Sequence, residues 1–133
     1  MLTKWLTFST LSLLLAGCSG NAATTWQQHQ VSSSGLYQAT LTCATAPTVA
    51  IFQECALQLS SEQALPPDLS LTVDGGMPAH GHGLPTAPQA VPTGKVGEYR
   101  IDGLKYSMVG EWVLGFWLHS AAGQDKIVFR FTF

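Results

Sequence analysis

Residues 111–133 read EWVLGFWLHSAAGQDKIVFRFTF, and their alternation decides the fold class. Trp112, Leu114, Phe116 and Leu118 fall on one face of an extended chain, with Val113, Trp117 and His119 on the other, because side chains alternate with period two along a strand. Ala122-Gly123-Gln124-Asp125 is a turn signal. Beyond it Ile127, Phe129, Phe131 and Phe133 alternate with Val128, Arg130 and Thr132 to the last residue. The pattern is β and not α.

Working outward, the same period recurs. Tyr99 and Ile101 precede an Asp102-Gly103 turn, and Leu104, Tyr106 and Met108 follow it. Upstream, Tyr37, Ala39, Leu41 and Cys43 share a face. After a break at Ala46-Pro47, Val49, Ile51, Gln53, Cys55, Leu57 and Leu59 share another. Ser60 and Gln63 have capping-box spacing and predict one helical turn over 60–65, stopped by Pro66-Pro67. Leu69, Leu71 and Val73 alternate again, and Asp74-Gly75-Gly76 reads as a turn. About seven short strands with turns roughly every 10 residues predict a single all-β domain over residues 35–133, an immunoglobulin-like antiparallel β-sandwich. The cysteine spacing of antibody domains is absent, so the expectation concerns architecture alone.

Residues 1–17 are a targeting segment: Lys4 supplies the positive charge, and Leu6 to Leu15 form an apolar run. The run is shorter than the ~20 residues that a spanning helix needs. Leu15-Ala16-Gly17-Cys18 resembles the lipobox of bacterial lipoproteins at all four positions. That resemblance implies cleavage before Cys18, lipid on Cys18, and attachment to a bacterial membrane on its periplasmic face. Ser19, where retention in the inner membrane would ask for aspartate, favours the outer membrane. Residues 18–34 then read as the lipidated cysteine and a flexible tether, with Trp26 to Val31 entering a first, edge strand.

Three cysteines less Cys18 leave Cys43 and Cys55, an even pair in an oxidising compartment, where a disulfide is favoured over a thiolate metal pair. The mature chain of 116 residues (133 − 17) suffices for one core. Loss of Lys4 leaves 5 basic (6 − 1) against 8 acidic side chains, a balance that argues against nucleic acid and against a charge-driven membrane patch. No glycine-rich phosphate loop and no marked nucleophile is present, so an enzyme is not expected.

Residues 77–97 hold four prolines (78, 85, 88 and 92) and no apolar period. A connection that long is more often functional than incidental. It opens Met77-Pro78-Ala79-His80-Gly81-His82-Gly83. If residues 80–82 run extended, His80 and His82 point to one side, and two imidazoles about 6–7 Å apart at the backbone can lean onto one metal ion. Met77 and Met108 are thioether candidates, and a mixed imidazole and thioether set favours copper, as Cu(I) or Cu(II). Ligation uses neutral imidazole, so affinity falls as pH drops through roughly 6.5. The same residues also read without metal, the histidines bonding backbone within the loop and the methionines filling core gaps. In that case the 77–97 loop docks a partner protein.

The 77–83 segment is followed by Gly97-Glu98-Tyr99-Arg100-Ile101 and by Leu104-Lys105-Tyr106-Ser107-Met108-Val109-Gly110-Glu111-Trp112. Together they resemble the YtkA-like domain, related to FixH-like proteins, over residues 35–133. The resemblance implies a small extracytoplasmic β-sandwich that handles copper or assists metalloprotein assembly without turnover, with a copper protein or oxidase assembly factor as partner. A lipobox stands here where FixH-like proteins carry a spanning helix.

Overall fold

A computed structural model describes residues 25–133; the targeting segment 1–17 and Cys18 lie outside the described residues. Within them the strands are β1 (Trp26–Val31), β2 (Tyr37–Cys43), β3 (Cys55–Ser61), β4 (Ser70–Met77), β5 (His82–Gly83), β6 (Gln89–Pro92), β7 (Glu98–Asp102), β8 (Glu111–Ser120) and β9 (Gly123–Thr132). They build two antiparallel sheets, β1-β2-β3-β7-β6 and β5-β4-β8-β9, packed face to face as an all-β sandwich.

The closing hairpin pairs Glu111 with Thr132 through to Ser120 with Gly123. Its inner face, Trp112, Leu114, Phe116 and Leu118 against Ile127, Phe129 and Phe131, is buried, as the alternation predicts. The other sheet answers with Ala39, Leu41, Cys43, Cys55, Leu57, Leu59, Tyr99 and Ile101. Each large apolar side chain withdrawn from water contributes roughly 1.5–3 kcal/mol, which makes this interface the source of stability. Cys43 and Cys55 face each other across β2 and β3 and form a disulfide.

Several local expectations are corrected. Among the described residues nine strands form instead of about seven. The edge strand expected at Trp26 to Val31 does form, as β1, and it pairs along the whole of β2, so the sandwich opens at Trp26, ahead of the boundary expected at residue 35. Residues 60–65 form no helical turn; Ser60 and Ser61 extend β3. Asp74-Gly75-Gly76 is the interior of β4, where the carbonyl oxygens of Val113 and His82 approach so closely that a Cβ on Gly75 or Gly76 would collide with them. Val49 to Glu54 do not continue into β3. They form a loop in which Ala50 takes a left-handed φ of 66° and the buried Gln53 side chain donates to the Thr48 and Ile51 carbonyls at 2.9 and 3.0 Å. Leu104 to Met108 make only isolated bridges to that loop, Val49 with Tyr106 and Phe52 with Lys105. Residues 77–97 are not structureless, since they supply a 3-10 turn, β5 and β6.

The register fixes what lies together. Trp26 pairs with Cys43, Cys43 with Cys55 and Cys55 with Ile101. The Trp26 ring stands 5.2 Å from Phe131, which brings the ends of the two sheets into line. One end of the sandwich therefore gathers the start of β1, loop 44–54, residues 78–88, residues 103–110 and the last residue, Phe133.

Candidate metal centre

Residues Pro78–His80 form a single 3-10 turn at that end. Gly81 closes it in the left-handed region, φ 63° and ψ 25°, its N–H donating to the Met77 carbonyl at 3.0 Å. A residue with a Cβ would be strained there, and glycine is not. The chain then doubles back, and His82 pairs with Met77 across β4 and β5. The two histidines thus come together by a turn and not by the extended period-two geometry expected for residues 80–82. Their ring centroids lie 6.0 Å apart.

The two rings have different surroundings. His80 is exposed, whereas His82 is half-buried, with the Trp112 ring edge-on at 5.9 Å. The Nδ1 of His82 lies 3.0 Å from the Gly83 carbonyl oxygen. A carbonyl only accepts, so the proton is assigned to Nδ1, and Nε2 keeps its lone pair. That Nε2 is closed off from solvent and has no hydrogen-bond partner among the described residues. Leaving such an atom unsatisfied costs roughly 1–3 kcal/mol. A ring held through Nδ1–H to a carbonyl, with Nε2 free, is the arrangement of a metal-ligating histidine.

The methionines separate. Met77 is 1% exposed and belongs to the core, its Cε lying 2.6 Å from where a Cβ on Gly110 would stand. Met108 is exposed, in a bend and not in the strand that the alternation of Leu104, Tyr106 and Met108 predicts. Its segment is tied to the histidine end, because Trp112 Nε1 donates to the Met108 carbonyl at 3.0 Å. His119 is elsewhere, at the far end of β8 with Nε2 3.2 Å from Thr72 Oγ1. His29 pairs with Thr40 on the surface at 2.8 Å. The two carboxylates of β7 are occupied too. Asp102 accepts from Arg100 at 2.5 and 2.7 Å, a hydrogen bond that holds its carboxyl below the usual range, and Glu98 meets Lys95 at 3.6 Å.

Among the described residues no group of three or more His, Cys, Asp or Glu side chains is placed to hold a metal ion, so the arrangement offers two nitrogen donors. With metal–nitrogen bonds of ~2.0 Å, two imidazole centroids on one ion lie roughly 5.2 Å apart at a tetrahedral angle and roughly 6.4 Å apart when opposed. The observed separation falls toward the opposed limit. Sequence reading found both histidines by their spacing and offered a histidine bond to backbone within the loop, which His82 makes to Gly83; it did not find Trp112 beside His82, since that depends on pairing between strands distant in the chain.

Compared with protein-family models, with curated proteins and with solved structures, the chain finds no match in any of the three.

Proposed function

We propose that this chain is a lipid-anchored periplasmic copper-binding or metalloprotein-assembly accessory without catalytic turnover, in which His80 and His82 donate the nitrogens. The observation that carries the reading is the unpartnered, buried Nε2 of His82, whose other nitrogen is already committed to the Gly83 carbonyl. His80, at 6.0 Å, is the second donor. Met108 is the thioether candidate on the neighbouring segment, and Met77 serves packing. Copper bound there would be held for delivery by ligand exchange, the exposed His80 being the donor an acceptor site reaches first. The resemblance to YtkA-like and FixH-like modules points the same way, as does the lipobox ending at Cys18.

The test is titration of residues 19–133, which contain every described strand, with Cu(I) under a competing chelator and with Cu(II). One equivalent is expected to bind, with binding lost in both His80→Ala and His82→Ala. Absent uptake, or uptake unchanged in both variants, overturns the assignment. A metal-free docking module is the second reading, and the observation favouring it is that β6, inside the 77–97 segment, is the outer strand of its sheet and so open to strand addition.

A further inference from the structure

The histidine end of the sandwich carries a second feature that the metal site does not use. Residues 44–53, ATAPTVAIFQ, contain no charge, and the loop turns Ile51 and Phe52 outward, 52% and 63% exposed. Val109, on the neighbouring segment, is 65% exposed. The two segments are bridged to each other, with the Ala50 N–H donating to the Tyr106 carbonyl at 2.9 Å. The Lys105 ammonium stands 5.3 Å from the Phe52 ring centroid. Apolar tips with an aromatic and a lysine beside them are the composition of a bilayer interface anchor.

The tether selects the occupant. From Cys18 to Trp26 the chain advances eight residues (26 − 18), at most roughly 29 Å when fully extended. Trp26 lies at the end that presents Ile51 and Phe52, through its pairing with Cys43. The ten residues of β8 alone measure roughly 31 Å at ~3.4 Å per step, before the loops beyond it are counted. A lipid on Cys18 therefore reaches the bilayer with this end facing it and falls short with the sandwich inverted.

We infer that the end formed by loop 44–54 and residues 103–110 seats on the phospholipid surface, with Ile51, Phe52 and Val109 entering the interface. The inference rests on the lipid anchor at Cys18, and it holds the His80–His82 site at the level of the bilayer surface.

Cys18 is the one cysteine outside the Cys43–Cys55 bridge, so residues 18–133 couple through it to a maleimide lipid in phosphatidylethanolamine–phosphatidylglycerol vesicles. Phe52→Trp and Val109→Trp, both at exposed positions, are compared with Val96→Trp, 84% exposed at the opposite end. In vesicles with brominated acyl chains, once the emission of the unsubstituted protein (Trp26, Trp112 and Trp117) is subtracted, the tryptophans added at 52 and 109 are expected to lose emission relative to plain vesicles, and the one added at 96 is not. Two results overturn the inference: unquenched emission at positions 52 and 109, which leaves the surface to a protein partner, or equal quenching at all three. The mass of Cys18 in full-length protein extracted from membranes reports the anchor separately. An unmodified Cys18 removes the anchor, while the coupled protein still reads the surface.

Discussion

Met77→Ala separates packing from ligation, because Met77 stands in the sequence as a candidate donor and in the fold as a core residue. At 1% exposure, truncation removes the thioether and its methyl from a filled interior, and substitutions of this kind cost about 2–5 kcal/mol. Against a total stability of roughly 5–15 kcal/mol for a domain, that is a large share. Gly110 supplies an internal check. Its φ is 135° and a Cβ there would stand 2.6 Å from Met77 Cε, so Gly110→Ala alone suffers both collision and backbone strain. In the Met77→Ala background only the strain remains, and the double variant is expected to be more stable than the sum of the two losses by about 1 kcal/mol. Met77→Leu conserves volume and is expected to cost less than about 1.5 kcal/mol with copper affinity unchanged. Urea unfolding of the four variants, paired with copper competition on Met77→Leu, reads every term. If Met77→Leu keeps its unfolding midpoint and loses tenfold or more in affinity, Met77 is a ligand and the packing argument fails.

Gly81→Ala meets open space but must hold a left-handed φ of 63°, at about 1–2 kcal/mol; copper affinity is expected to fall with it, and full affinity would show that the turn does not set the pair. Reduction of Cys43–Cys55, or Cys43→Ala with Cys55→Ala, reopens a loop closed over a separation of 12 and is expected to cost roughly 3 kcal/mol in denaturant unfolding; an unchanged midpoint refutes it. Asp125 joins the turn after β1 to β9. Burial alone would raise its carboxyl, but hydrogen bonds from the Ser34 hydroxyl and amide and from the Lys126 amide outweigh that and lower it. A depressed carboxylate stabilises the fold above its unfolded value near ~3.9 and loses that contribution as pH falls through the folded value. Wild type is therefore expected to lose stability over that acid range more steeply than Asp125→Asn, in thermal melts from pH 5 downward, and parallel curves refute the linkage.

The sequence alone determined the strands that bury one face, since period-two alternation is a local consequence of the pleat. Trp112 to Leu118 and Ile127 to Phe131 were legible residue by residue, and so were the Cys43–Cys55 pair and the two histidines by their spacing. Where glycine or a short polar run suggested a turn, the answer lay with neighbours distant in the chain. Gly75 and Gly76 are glycine because the Val113 and His82 carbonyls occupy the space of a Cβ, and Ser60 and Ser61 stay extended because β2 pairs with them. The alternation at Val49 to Gln53 belongs to a loop, because the Tyr106 and Leu104 carbonyls accept from Ala50 and Gln53. Only the tertiary structure put Met77 inside, left Nε2 of His82 without a partner among the described residues, and set Ile51, Phe52 and Val109 at the same end as the histidines. Those outcomes depend on the register between strands far apart in sequence, which no local pattern encodes.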